Sequence, residues 1–338
     1  MHSTPAPAPK PGPAASSGLD ASVIPLITPP IVQPTEPSTE SAPQPRPAAG
    51  KLFPWLAFIS LLGGGAAIGF AGILMRLSDV APVASAFWRM ALASPILWLW
   101  AFSVRHEDRR EARTLGFAPV LLLAGIYFAG DMGLWHLSLH YTTVSNATLL
   151  SNFAPVFIAL WMVWRHRARL GAVYVAGLLI ALLGAVLLVA PSAGVEGGKL
   201  LGDGLGLITA VFYAAYQLSI KDARSSYSTA RLMAWSTSIT GLVLLPFALA
   251  MPGAFWPASL LGWLPLLGLA LIAQIGGQTV IAYAMAHLPP ALSSVSLLIQ
   301  PLTASIAAWI IFHEVIGPLQ MLGGLILLGG IYLSKRGS

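Results

Sequence analysis

The chain has 338 residues, of which 56% are hydrophobic and only 9% charged, and its mean hydropathy is +0.77. Soluble domains carry roughly a quarter charged residues, so an ordinary water-facing surface is excluded and a lipid-facing one is expected. There are no cysteines, which excludes disulfides, thiolate metal centres and cysteine nucleophiles. A net charge of +6 would suit a phosphate-binding patch, but the basic residues fall between apolar runs. The expected partner on these grounds is therefore the lipid bilayer, with no nucleic acid.

Residues 1–50 hold 13 of the 27 prolines, many alternating with alanine (Pro5, Pro7, Pro9, Pro11, Pro13). Such a stretch favours solvated polyproline geometry and has no apolar face to bury, so a disordered Pro/Ala-rich tail is expected. It lacks the basic start and apolar core of a signal peptide. From Phe53 onward come ten long apolar runs, near 53–75, 81–103, 116–139, 143–164, 170–190, 202–221, 229–250, 260–286, 290–312 and 316–334. Strands would alternate and be about half as long, so each run predicts a transmembrane helix. The fold class is an all-α polytopic membrane protein.

Lys and Arg fix the orientation. With the N-terminus inside, the cytoplasmic segments hold 15 of the 18: Lys10, Arg46, Lys51, Arg105, Arg109, Arg110, Arg113, Arg165, Arg167, Arg169, Lys221, Arg224, Arg231, Lys335 and Arg336. The outer loops hold only Arg76 and Lys199, and Arg89 lies within a span. Both termini are thus predicted to be cytoplasmic, in a multi-pass protein of the cell inner membrane.

Shifted by 146 residues, the sequence aligns with itself without a gap over roughly thirty positions. Pro155 meets Pro301, Gly171 meets Gly317, Gly177 meets Gly323 and Gly184 meets Gly330. Each of these residues constrains backbone geometry or close packing, so the coincidences weigh more than the matched leucines around them. The repeats are placed at 51–192 and 200–336. Five spans in each would put the second copy into the membrane upside down. Arg165-His166-Arg167-Ala168-Arg169 after the fourth run and Ile311-Phe312-His313-Glu314-Val315 after the ninth fit that 5+5 inverted repeat, basic inside and acidic outside. Inverted repeats recur in secondary transporters, with the substrate near the midplane.

Several local patterns add a resemblance. They are the run 82–91 with Pro82 and Arg89; Leu134-Trp135 and the run 141–148; Pro155 after Asn152; the Gly177/Gly184 ending of the fifth run; and Pro290, Gln300-Pro301, Glu314 and Gly323 in the second copy. In these the chain resembles the drug/metabolite transporter superfamily, in its EamA-type ten-helix branch. The resemblance covers nearly everything after residue 51. One departure is Ala168, which stands where the second copy has Glu314. What it implies is an exporter or facilitator of metabolites such as amino acids, aromatic ones included in the YddG-type members. The fold alone does not name the solute.

Ionisable groups inside spans mark function or structural pairing. Arg89 and Asp131 lie at equal depth on consecutive helices, about 12 Å below the outer end at a rise of 1.5 Å per residue. They form either a fixed ion pair that clips the helices together or a proton-coupling site at Asp131. His136 and His140, at the outer end of the third run, are gating candidates, although helix ends often hold such residues without function. Asn146, Asn152, Gln217, Gln274, Gln278 and Gln300 are cavity candidates, with hydrogen bonds between helices as the alternative. Trp135, Tyr213, Tyr216 and Tyr283 lie near them and are candidates for the same cavity. Trp98, Trp100, Trp161 and Trp164 read as an interfacial belt.

Enzyme motifs are not completed. His313-Glu314 begins an H-E-x-x-H pattern that Gly317 breaks, and the glycine-rich stretch 202–206 lacks the Lys-Ser/Thr of a phosphate loop. No cofactor, metal site or catalytic residue is expected, and the sequence does not specify an oligomeric state. An intramembrane enzyme or a non-transporting scaffold is the alternative to a transporter.

Overall fold

The computed structural model describes residues 53–104, 119–138, 141–142, 144–189, 200–313 and 315–337, all within one compact unit, Phe53–Ser338. The expectation for residues 1–50 lies outside them, as do those for His140, Glu314 and the side chain of Asn146. The described residues form helices and no strands. The helical rods are α1 (Trp55–Arg76), α2 (Pro82–Ser103), α3 (Pro119–Ser138), α4 (Val144–Ser151 continued by Ala154–His166) and α5 (Ala172–Val189). They continue as α6 (Leu200–Ala223), α7 (Thr229–Ala250), α8 (Trp263–His287), α9 (Pro290–Ser296 continued by Ile299–Phe312) and α10 (Pro318–Arg336). By length and composition, eight are apolar enough to cross a membrane. The other two, α6 and α10, are of similar length, but Asp203, Lys221 and Asp222 in one and Lys335 and Arg336 in the other dilute their apolar character.

Hydrocarbon offers no hydrogen bonds, so a spanning chain must satisfy every peptide group internally, and helices do so. Side chains follow the same logic. Leu99, Leu242 and Leu325 are each about 70% exposed on the outside of the bundle, where lipid would cover them. The interior is built largely from small residues, among them Ala84, Ala124, Ala181, Ser85 and Ser236. Trp98 departs from its expected place. It is half-buried, and its Nε1 donates to Ser238 Oγ at 3.0 Å, so it ties α2 to α7. Trp100 and Trp164 are exposed, as an interfacial belt requires.

Three features repeat at the 146-residue spacing. Both α4 and α9 are interrupted ahead of Pro155 and Pro301, after Ser151 and, within one residue of the equivalent position, after Ser296; proline has no N–H for the helical ladder and clashes with the preceding turn. Both also end on a left-handed residue, Arg167 (φ 49°) and His313 (φ 56°), a common way to terminate a helix. The third feature is the α5–α10 seam. A Cβ on Gly177 would overlap the Ser334 backbone, and one on Gly323 the Leu187–Leu188 backbone; Gly184 meets Leu327 and Gly330 meets Ala181 in the same way. A shift of 146 turns the Gly177–Ser334 contact into Gly323–Leu188, and Gly184–Leu327 into Gly330–Ala181. Residue numbers rise along α5 as they fall along α10, so the two counterpart helices run antiparallel. The wider packing agrees: α3 lies on α6 as α8 lies on α1, α4 on α6 as α9 on α1, and α2 packs on its own counterpart α7. The two halves are inverted copies.

Candidate functional site

A cavity of about 780 Å³ runs into the bundle between α1, α2, α3, α4 and α9. It passes both helix interruptions, where Asn152 and Gln300 face it. Its mouth lies at one end of the bundle, among Arg76 at the end of α1, Val189 at the end of α5, residues 315–317 and Gln320 at the start of α10.

Arg89 forms the charged floor and is only 4% exposed. Its Nε donates to Gln274 Oε1 at 3.1 Å, and Gln274 Nε2 in turn donates to Thr237 Oγ1 at 2.9 Å. Gln274 lies in a π-helical stretch of α8, Leu269–Gln278. The wider turn alters the angular spacing of side chains, and such turns concentrate at functional sites. Beneath the guanidinium lies the Phe128 ring, 5.8 Å from its carbon. Nη2 of Arg89 is buried and has no hydrogen-bond partner among the described residues. Leaving a buried charged donor unpaired costs several kcal/mol, so this nitrogen is the least satisfied atom of the floor.

One helical turn beyond Phe128, Asp131 lines the same cavity, and no hydrogen bond joins it to Arg89. Another turn on stand Trp135, also a lining residue, and His136. The His136 Nδ1 lies 2.6 Å from the Met132 carbonyl oxygen; a carbonyl only accepts, so this nitrogen carries the proton and donates. An aromatic run leads away from Phe128. Phe128 stacks on Tyr216 at 4.4 Å, Tyr216 stacks on Tyr213, and the Tyr213 hydroxyl accepts from Gln300 Nε2 at 3.0 Å.

The cavity thus gathers Arg89, Asp131, Trp135, His136, Asn152, Tyr213, Gln278 and Gln300 from the sequence candidates. Gln274 and Tyr216 stand behind its wall, each in contact with a lining residue. Gln217 opens instead on a small side space shared with Asn152, Tyr213 and Gln300. Tyr283 is 39% exposed and packs on His287, away from the cavity. Sequence reasoning missed Phe128, Thr148, Ser151 and Gln320, which also line it. Thr148 and Ser151 were readable in principle, because they precede Asn152 by four residues and by one. Phe128 was not, since an aromatic cavity wall and an aromatic core residue look alike in sequence.

At the other end of the bundle, α6 is tied to α8. Lys221 Nζ donates to the carbonyl oxygens of Met285 (2.7 Å), Leu288 (2.9 Å) and Ala286 (3.3 Å). A cation on the last carbonyls of a helix satisfies groups that lack an internal partner and also complements the helix dipole. It fastens the end of α6 to the end of α8.

Residues 55–190 and 200–336 each match the family model described as the EamA-like transporter family. The chain belongs to that family. Among its relatives is an "Uncharacterized transporter" of Archaeoglobus fulgidus, 28% identical over 82% of this chain and 95% of the relative. The "Pseudopaline exporter CntI" of Pseudomonas aeruginosa is 24% identical over 74% of this chain and 84% of its own length. The "Probable terminal-alkyne amino-acid exporter" of Streptantibioticus cattleyicolor is 28% identical over 83% and 89%. A solved crystal structure superposes on 83% of this EamA-like chain and 98% of its own, with a TM-score of 0.71 at 16% identity; it shows that the fold is shared. The protein is a multi-pass membrane protein of a transporter family.

Proposed function

We propose that this EamA-like protein is a secondary transporter that exports small metabolites such as amino acids across the inner membrane by alternating access. The observation that carries the proposal is the cavity itself. It enters from one end of the bundle, runs past the interruptions of α4 and α9, and stops at a buried arginine with an unpartnered nitrogen. Discontinuous helices at the repeat interface are where transporters of inverted-repeat design hold substrate. The printed names of two relatives, a pseudopaline exporter and an amino-acid exporter, point to the same class of activity.

Ten crossings with both ends in the cytoplasm follow from the placement of Lys and Arg. On that topology the mouth at Arg76 and Gln320 faces outward and Lys221 closes the cytoplasmic side, so the arrangement is outward-facing. Purified protein reconstituted in liposomes tests the reading. Vesicles loaded with unlabelled amino acid should accumulate labelled amino acid by counterflow, with the solute recovered chemically unchanged. Conversion of the solute would make the protein an enzyme. Silence toward amino acids, nucleosides, polyamines and organic cations alike would leave a scaffold.

A further inference from the structure

On the alternating-access reading above, we propose that Arg76 is the outer latch of this transporter, the counterpart of Lys221. When the cavity is closed to the outside, its guanidinium binds carbonyl oxygens at the end of α3. The repeat supplies the correspondence. The two matched ranges begin at residues 55 and 200, and on that register Arg76 is the equivalent of Lys221. Each is a cation in the last turn of its helix, α1 or α6. The acceptors correspond as well. Lys221 holds the carbonyls of Met285 and Leu288 at the end of α8. At the 146-residue spacing their equivalents fall within one residue of Ser138, which ends α3, and on Thr142 just past it.

In this structure the two counterpart pairs differ. The end of α8 packs on α6, whereas no comparable packing joins α1 to α3 among the described residues. Arg76 lies instead over the Phe312 ring of α9, 4.2 Å from its centroid. It lines the same cavity as Trp135 and His136 in the last turn of α3. Inverted repeats that reach two states by rocking one against the other exchange the arrangements of their halves. The contact made on one side by α6 and α8 is then made on the other side by α1 and α3. The chemistry suits such a contact. The last carbonyls of a helix lack internal partners and form the negative end of its dipole, and a guanidinium brings five donors. Arg76 is also one of only two basic residues in the expected outer segments. Lysine and arginine are disfavoured there, so topology does not account for it.

The test uses the full chain in nanodiscs, where the lack of native cysteine lets two spin labels be placed without background. Labels on Leu77→Cys and Tyr141→Cys, both exposed positions, report the distance between the outer ends of α1 and α3 by pulsed electron paramagnetic resonance. Lys221→Met should populate a second, shorter distance. Hydrogen bonds to a charged group commonly shift such a balance about ten-fold or more, so adding Arg76→Gln should reduce the short population by that factor. Adding Arg76→Lys instead, which keeps the charge, should retain it. If Lys221→Met does not fold, Lys221→Gln takes its place. A short population that Arg76→Gln leaves unchanged overturns the proposal, as does a Lys221 variant in which the two ends never approach. Counterflow in liposomes is measured on the same proteins. Counterflow alongside either of those results removes the latch and leaves transport standing. The expected distance changes without counterflow of any solute do the opposite.

Discussion

The α5–α10 seam and the cavity are built on opposite principles. Along the seam, the glycines of each half touch the backbone of the other, and every contact has a partner 146 residues away. The cavity has no such symmetry. Arg89 and Asp131 both come from the first half, and the residues 146 positions on are Trp235 and Gly277. Close apolar contact between backbones is the main source of helix association in lipid, since the tails are as apolar as the side chains. The seam is therefore where stability is expected to reside. Among the described residues that line the cavity, three buried nitrogens, Arg89 Nη2, His136 Nε2 and Asn152 Nδ2, have no hydrogen-bond partner, an arrangement that stability alone does not favour. The duplicated part is expected to hold the fold together, and the part without that symmetry is the proposed transport site.

The comparison can be broken first at the seam. Gly184→Val places side-chain atoms where even a Cβ would overlap Leu327. Overpacking a tight contact costs typically about 1–3 kcal/mol and sometimes more, and here the obstacle is backbone that cannot rotate away. A large fall in melting temperature, or loss of folded protein, is expected in a thermal unfolding assay. A melting temperature equal to that of the parent would show that α5 and α10 do not depend on close approach. The control is Gly63→Ala on α1, where a Cβ would meet nothing within 4 Å; it should not destabilise, and a gain of up to about 1 kcal/mol is expected from replacing a mid-helix glycine.

A smaller effect is expected at Lys221. Lys221→Met keeps much of the apolar stem but removes three hydrogen bonds to the end of α8. Hydrogen bonds to charged groups contribute roughly 1.5–3 kcal/mol. These bonds join ends that must separate if the cytoplasmic side opens, so losing them should shift the balance toward an inward-open state more than it lowers melting temperature. Counterflow rates and unfolding curves on the same preparation separate the two effects. Equal loss in both would make Lys221 a structural residue only.

Much of this was legible in the sequence, for identifiable reasons. A charged residue in a run of alanine and leucine stands out, and so Arg89 and Asp131 were named before any fold was known. The repeat was visible because Pro155/Pro301 and Gly184/Gly330 perform tasks that few other residues can. The roles of the amides were not visible. Gln274 and Gln278 sit four residues apart in α8, yet one braces Arg89 from behind while the other lines the cavity. The π-helical stretch that contains both alters the regular angular spacing on which sequence-based faces rest. Tyr283 was expected in the cavity and is not there for a related reason, because it lies beyond the π-helical stretch and turns outward.

The central claim is that the cavity is a transport pathway open to one side at a time. The chain contains no cysteine, so a single thiol can be read without background. Ala304 lines the cavity on α9, past the interruption of that helix. In liposomes of known orientation, Ala304→Cys should react with a membrane-impermeant thiol reagent added at the outer face and resist the same reagent added at the cytoplasmic face. Adding Lys221→Met should lower the outer reaction and raise the cytoplasmic one. Reaction from both faces at once in the single variant, or from the cytoplasmic face alone, would contradict the account.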